Sequence, residues 1–261
     1  MIKIFRKIRQ NMIKKNKVSK YLLYAIGEIV LVVIGILIAL AINNSNEDRK
    51  SRKQEVNYLK NLQTDITLEF KNNDSLIIYR AFTAKSAARL LAFKPLETVL
   101  DVIALEQTIN EVFPRQNFIP TNNTYKELLS SGNLNYITND SIKNHLLELD
   151  KMYVYISNCE HHMYREYEEY LYNVTIKNGE ILNLVDIQKT ATTGSLSFTN
   201  PSQIPAFMII PDYNRLLKIS EFRNGLKLAV TNNIGLKYAH SAMTSHLQKL
   251  NQLIVNDLKN D

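Results

Sequence analysis

The chain has little cysteine, glycine or proline, and it lacks the short motifs that mark common active sites. Its one cysteine, Cys159, allows no disulfide within the chain. Seven glycines and six prolines in 261 residues leave little room for an active site built from loops. The sequence has no Gly-x-Ser-x-Gly, His-Glu-x-x-His, phosphate-binding glycine loop or Cys-x-x-Cys. We therefore expect a non-enzymatic protein that needs no cofactor.

Acidic residues are absent from the first 20 positions, which carry eight lysines and arginines. The remaining 24 basic residues are balanced by the 25 acidic residues of the chain, so the net charge of +7 comes from the N-terminal tail. A basic surface spread over a folded domain is not indicated, and nucleic acid is not an expected partner. The tail could lie as an amphipathic helix on anionic lipid through Ile2, Phe5, Ile8 and Met12, or could be unstructured and only set the topology.

Residues 21–42 are apolar around the whole helix circumference, and Glu28 is their only charge. At about 1.5 Å per residue, 22 residues span roughly 33 Å, enough to cross a bilayer. Because basic flanks stay in the cytoplasm, residues 1–20 are predicted to be cytoplasmic and residues 43–261 to be periplasmic at a bacterial inner membrane. The alternative is a signal peptide cleaved near Ala39-Leu40-Ala41, although the apolar run is long for one.

One face of the predicted membrane helix carries Glu28, Leu31, Gly35, Ala39 and Ile42. Small residues four apart let two helices approach closely, and a carboxylate in lipid is costly unless it finds a partner. We expect Glu28, Gly35 and Ala39 to contact a second membrane helix, from another copy or from another membrane protein. The alternative is a lone anchor whose Glu28 reaches the lipid headgroups.

The remainder predicts one mostly α-helical domain. No glycine lies between Gly35 and Gly132, and the first proline is Pro95, so the membrane helix can continue into the domain. An apolar stripe at helical period continues from Val56 to Ala84, interrupted by Asn73 and Arg80. Further helices are predicted at 96–113, 124–131, 141–171 and 213–258. An insertion at 174–211 is expected to hold a β-hairpin around Asn178-Gly179 and a loop over 190–205.

Four segments of the sequence carry a resemblance to a known family: 5–10 (FRKIRQ), 20–40 (KYLLYAIGEIVLVVIGILIAL), 42–44 (INN) and 124–134 (TYKELLSSGNL). They resemble an uncharacterised family of bacterial single-pass membrane proteins. Members commonly have tryptophan where this chain has Ser45. The resemblance implies the topology given above and no catalytic residue.

Two side-chain patterns allow a chemical alternative. Cys159, His162 and Glu166 share a helix face and could bind a metal, or could form a polar face with an inert thiol. A tyrosine stripe could pack in the core or line a ligand groove; its members are Tyr153, Tyr155, Tyr164, Tyr167 and Tyr170.

Three functions remain open for the helical domain. The first is a non-enzymatic interaction or scaffold module that self-associates. The second is a periplasmic ligand-sensing subunit that signals through a membrane partner. The third is an enzyme whose site is assembled from scattered residues. A polar-lined pocket would favour the second function, and titratable groups converging in it would favour the third.

Overall fold

Every regular element in the described part of the chain is a helix. The computed structural model describes residues 18–178, 186–195, 197, 199 and 206–259. The predicted mostly α-helical class is therefore confirmed. The α-helices are α1 (Val18–Leu91), α2 (Val99–Val112), α3 (Asn123–Ser130), α4 (Asp140–Glu166), α5 (Asn173–Asn178), α6 (Ile187–Thr193), α7 (Ala206–Leu216) and α8 (Ser220–Lys259). A 3-10 turn, Asn133–Tyr136, follows α3, and a π-helical segment, Tyr167–Tyr172, joins α4 to α5.

The chain divides into two compact units, residues 1–57 and 58–261. In the first unit, the large apolar side chains from Leu22 to Ile42 are between 47% and 78% exposed. The most apolar 18-residue window of α1 has a mean hydropathy of 2.9, and none of it is buried. One long, apolar, uncovered helix of this kind is compatible with a membrane anchor. The amphipathic stretch expected at residues 2–12 lies outside the described residues.

The second unit is organised around the later part of α1, α4 and α8. Asn73 of α1 bonds to His240 of α8, and Arg80 bonds to Asn233. Residue numbers rise on α1 as they fall on α8, so the two helices are antiparallel. Each fully buried leucine in such a core, Leu59 for example, contributes about 1.5–3 kcal/mol through removal of its apolar surface from water.

The helix α4 also runs antiparallel to α8. His145, near the start of α4, accepts a hydrogen bond at its carbonyl from the His246 ring, and Glu166 at its end accepts one from Asn232. Because α1 and α4 are both antiparallel to α8, they run parallel to each other. Their connection is therefore a long one, and it contains α2, α3 and the segment between them.

The predicted stripe on α1 is largely confirmed, because Leu59, Leu62, Ile66, Asn73, Arg80 and Ala84 are buried. On α8, two large side chains that a purely apolar pattern would place in the core, Ile234 and Tyr238, are 36% and 66% exposed. The buried face of α8 passes instead through Asn233 and His240. The pattern of apolar residues alone does not locate this face, because two of its central positions, Asn233 and His240, are polar.

Helix starts are fixed partly by local caps and partly by distant side chains. Thr98 and Asp101 form a capping box at α2, and backbone N–H groups, that of Glu97 first, lower the pKa of Asp101. The start of α3 uses a distant cap, because Asp65 of α1 accepts a hydrogen bond from the Thr124 N–H at 2.8 Å. Gly132 ends this region with φ of 71°, in the left-handed region that glycine adopts without steric cost.

The predicted β-hairpin is wrong where it can be compared with the structure. Val174 to Asn178 lie within α5, and Gly179 to Leu182 lie outside the described residues. The β-branched residues Val174 and Thr175 favour a strand by local propensity. The helix nevertheless continues into them from α4, because Thr175 lies four residues after the buried Leu171 and is buried on the same helix face. Tertiary packing therefore outweighs local propensity here.

The loop predicted over 190–205 is also wrong in its first part. Residues 190–193 belong to α6, which has a local start and stop signal of its own. The Asp186 carboxylate accepts a hydrogen bond from the Lys189 N–H at 2.9 Å, and Gly194 ends the helix with φ of 67°. A well-capped helix of seven residues is easily missed in a stretch rich in Thr and Ser.

The π-helical segment allows one face to stay buried through a run of four-residue steps. Met163, Tyr167, Leu171 and Thr175 are all buried. Such spacing drifts around an α-helix of 3.6 residues per turn, and the wider π-helical turn compensates for this drift. Gly225 of α8 faces this segment closely. A Cβ at Gly225 would lie 2.8 Å from Leu171 Cδ2 and from Tyr170 Cβ.

We predict that Gly225→Ala lowers the free energy of unfolding by about 1–3 kcal/mol, because the added methyl group overpacks this contact. Gly235→Ala is the matched control on the same helix, since a Cβ there meets nothing within 4 Å. It should raise stability by up to about 1 kcal/mol through better helix propensity. Denaturant unfolding in detergent, followed by far-UV circular dichroism, measures both, and equal stability of the two variants would contradict the close approach.

Candidate functional site: a polar cleft beside a buried ion pair

Arg80 occupies a core position of α1 and is 1% exposed. Its Nη2 lies 2.5 Å from Glu160 Oε1 of α4 and donates to the Gln116 carbonyl at 2.8 Å. Its Nη1 contacts Asn233 Oδ1 of α8 at 3.4 Å. A guanidinium in a core requires such partners, because an unpaired buried charge is strongly unfavourable. Arg80 therefore joins α1, α4, α8 and the α2–α3 connection at one point.

Glu160 anchors the α2–α3 connection from the other side. Both carboxylate oxygens lie 3.1 Å from the Phe118 N–H. Burial raises the pKa of Glu160, while the Phe118 N–H and the Arg80 guanidinium oppose that shift. This carboxylate is fully engaged in holding the fold.

Three tyrosine hydroxyls hold the start of the same connection. Tyr79 donates to the Pro114 carbonyl at 2.6 Å and Tyr164 to the Gln116 carbonyl at 2.9 Å. Tyr172 donates to the Phe113 carbonyl. These bonds satisfy carbonyls that no helix satisfies, so residues 113–118 (the braced loop) have a fixed conformation.

A cleft of about 470 Å³ lies between the braced loop and α4. The loop supplies Arg115 and Asn117, and α4 supplies Ser157, His161 and Arg165. Tyr164, Glu160 and Glu168 complete the polar lining. This volume is in the range of sites for small molecules.

Arg115 is the most constrained cation of the cleft. Its guanidinium carbon lies 5.2 Å from the Tyr164 ring centroid and 5.3 Å from that of Tyr172. Its Nη2 lies 2.6 Å from Glu168 Oε2. The two rings fix the plane of a group that pairs well with carboxylates and phosphates.

A second buried polar cluster lies nearby on α1 and α8. His240 Nδ1 donates to Asn73 Oδ1 at 2.6 Å, and the Asn73 amide donates to the His240 carbonyl and to Thr244. His240 Nε2 is buried and has no hydrogen-bond partner among the described residues. Phe118 of the braced loop packs edge-on against the ring, with centroids 5.4 Å apart. Burial, and then the Arg80 charge, lower the pKa of His240 to about 4.

We predict that acidification destabilises the protein through His240. The folded state keeps this ring neutral, whereas the unfolded chain protonates it near the ordinary pKa of 6.5. Stability is therefore fully present above that value and is lost as the pH falls through it toward about 4, with a loss on the order of 2 kcal/mol between about pH 7 and about pH 5.

The test compares the acid-induced loss of stability in the unsubstituted protein with that in His240→Asn. The asparagine keeps an amide donor for Asn73 and has no titrating ring. Glu69 and Glu160 have pKa values raised by burial and act in the opposite direction, so the difference between the two proteins isolates His240. Denaturant unfolding at both pH values measures it. The same acid loss in both proteins would show that another group is responsible.

The residues considered for a metal form polar pairs. His162 Nε2 lies 3.1 Å from Glu166 Oε1, and Arg165 contacts His162 Nδ1 at 3.0 Å. Glu166 also accepts from Asn232, and Cys159 is half-buried. Among the described residues, no group of three or more His, Cys, Asp or Glu side chains is placed to hold a metal ion.

The tyrosine stripe divides between core and cleft. Tyr153 and Tyr167 are buried in the core, and Tyr164 lines the cleft. Tyr155 is 61% exposed and Tyr170 is half-buried. The core interpretation is confirmed for Tyr153 and Tyr167, and the ligand-groove interpretation stays a prediction for Tyr164.

Neither the pair between Arg80 and Glu160 nor the presence of Arg115 and Arg165 in one cleft was predicted from the sequence. The signal for Arg80 was present, since a charge within an apolar stripe must find a buried partner. The cleft residues of the braced loop carried no comparable signal, because they lie 40 or more positions before their contacts on α4.

The N-terminal contact face has the exposure that a lipid-facing or helix-facing surface requires. Gly35 and Ala39 are exposed in α1, and a Cβ at Gly35 would meet nothing within 4 Å. Glu28 is half-exposed. These observations describe the helix by itself and leave the predicted contact of Glu28, Gly35 and Ala39 as a prediction.

A family model matches residues 28–196, a range that includes most of the apolar run, the 124–134 motif and the whole cleft. The segments 5–10 and 20–27 lie before the match. No curated protein and no solved structure matches the chain. Since the match covers more than half of the sequence, the chain belongs to DUF6090, a family of unknown function.

Proposed function

We propose that the protein is a single-pass membrane protein that presents a helical recognition domain on the periplasmic side of a bacterial inner membrane. Residues 1–20 stay in the cytoplasm, 21–42 cross the membrane and 43–261 lie outside. The uncovered apolar run, with its mean hydropathy of 2.9, carries this proposal. In water these side chains would stay exposed at high cost, whereas lipid removes them from water.

The orientation is supported by the charge of the tail. Eight basic residues and no acid precede the run, whereas Arg49, Lys50, Arg52 and Lys53 after it are interleaved with acids. Lys50 pairs with Glu47 at 3.0 Å and Arg52 with Glu55 at 2.7 Å. The side with more Lys and Arg beside the membrane segment stays in the cytoplasm, and here eight bases precede the run whereas these four follow it.

The role proposed for the domain is recognition, without catalysis. Glu160, which lines the cleft, is engaged with the buried Arg80 and with the braced loop. An interaction or scaffold module is the leading form of this role. A ligand-sensing subunit is the second form, and the polar cleft of about 470 Å³ favours it.

The topology is tested with reporters fused after Asp261 in a bacterial host. Alkaline phosphatase, which is active only in the periplasm, should be active when fused at this position. Green fluorescent protein fused at the same position should not fluoresce, because it would also be exported. Replacing the eight tail bases with Gln should reduce phosphatase activity severalfold, because the signal for orientation is removed. Fluorescence with an inactive phosphatase would overturn the proposed orientation, and release of the protein by carbonate washing would overturn the proposed anchor.

We further propose that Glu28, Gly35 and Ala39 form a helix–helix contact in the membrane. In a Cys159→Ser background, Gly35→Cys and Ala39→Cys should form disulfide-linked products in native membranes under mild oxidation. Leu37→Cys is the matched control, because two residues from Gly35 place it on the far side of the helix. Glu28→Leu should weaken the contact if the carboxylate bonds across it, by about 1–2 kcal/mol. Equal products at all three cysteine positions would indicate random collision.

A further inference from the structure

We propose that the cleft between the braced loop and α4 binds a small organic carboxylate, whose carboxylate group exchanges with that of Glu168 on Arg115 and also reaches Arg165. This inference rests on the recognition role proposed above and is independent of the membrane topology.

The charges in the cleft favour an anion. Arg80 and Glu160 neutralise each other at 2.5 Å. The remaining formal charges on the lining are Arg115 and Arg165 against Glu168. Once a ligand carboxylate displaces Glu168 toward solvent, two guanidinium groups face it in a partly enclosed space, where charge-assisted hydrogen bonds are strongest.

The lining also offers uncommitted hydrogen-bonding groups. The side chains of Asn117, Ser157 and His161 form no hydrogen bond with any other part of the described chain. They come from two different elements and line one space. Polar groups that converge on a cleft without internal partners are typical of a site for a polar ligand.

The wall that carries Arg115 and Asn117 is held rigidly before any ligand arrives. Tyr164 both donates to the Gln116 carbonyl and stacks on the Arg115 guanidinium. Glu160 and Arg80 hold Phe118 and Gln116 from below. A ligand therefore pays little to order this wall, which favours binding.

The class of anion follows from what Arg115 binds in this structure. Glu168 Oε2 lies 2.6 Å from the guanidinium, and the Glu168 side chain is 60% exposed. The arginine side chain is 41% exposed, so its pair with Glu168 is a surface pair, and such pairs contribute little net stability. A ligand carboxylate can replace this weakly held internal one and leave Arg115 satisfied. The Tyr164 ring beside it provides an apolar surface for the rest of an organic acid.

The test is a titration of the full-length protein in detergent with 4-fluorobenzoate, followed by fluorine NMR line broadening. We expect saturable binding, and no saturable binding of the neutral isostere 4-fluorobenzamide. Arg165→Gln should weaken binding about tenfold, as loss of one charge-assisted hydrogen bond does. Glu168→Gln should tighten it severalfold, because the internal competitor is removed.

Matched controls distinguish these effects from general charge. Arg215→Gln and Glu148→Gln remove exposed, paired charges outside the cleft and should leave the affinity unchanged. The proposal is overturned if the benzamide binds equally well, if Arg165→Gln has no effect, or if Glu168→Gln weakens binding. Displacement of 4-fluorobenzoate by inorganic phosphate at equal or lower concentration would assign the cleft to phosphates and overturn the carboxylate class. All these binding measurements are made in detergent and do not depend on membrane orientation. They therefore test the cleft independently of the reporter fusions, which test the topology.

Discussion

The buried pair between Arg80 and Glu160 is the constraint on which the second unit depends. Removing either partner would leave an uncompensated charge in the core, a change that typically costs about 3–5 kcal/mol. An apolar pair of similar volume could be as stable, so net stability is a poor explanation for the pair. Its geometric effect is specific, because only one register of α1 against α4 brings the guanidinium to the carboxylate. The pair therefore sets alignment.

That alignment determines the shape of the braced loop and hence the cleft. Arg80 and Glu160 use their remaining hydrogen-bonding capacity on the Gln116 carbonyl and the Phe118 N–H. The loop is held by core side chains because it has no regular structure that could satisfy its own backbone. Once residues 116 and 118 are fixed, Asn117 lies between them and lines the cleft. A recognition surface is thus formed by residues whose positions follow from a core interaction.

Features that depend on neighbours along the chain could be predicted from the sequence. The helices over 96–113, 124–131 and 141–171 and the apolar stripe of α1 follow from periodicity and capping, and the structure agrees. The helix predicted over 213–258 is wrong at one point, because the structure divides it into α7 and α8 between Leu216 and Ser220. The hairpin at 174–182 failed because β-branched residues continued a helix whose burial is decided by α8. The cleft could not be predicted, since Arg115 and Arg165 are brought together only by the long connection between α1 and α4. Asn73 and Arg80 were visible as interruptions, but their partners are 167 and 80 positions away.

These two interruptions lie seven residues apart, two turns or roughly 10.5 Å along α1. Each is the centre of a polar layer, and both layers reach Phe118: Glu160 holds its N–H, and the His240 ring packs against its side chain. The layers differ in charge, because burial and the Arg80 guanidinium lower the pKa of His240 and so favour its neutral ring, whereas the other layer holds the ion pair of Arg80 and Glu160. A neutral ring can be buried with one nitrogen unpaired at a moderate cost in free energy. Burying a second unpaired cation would cost far more. Keeping His240 neutral is therefore what allows two polar layers to hold one loop residue from two sides.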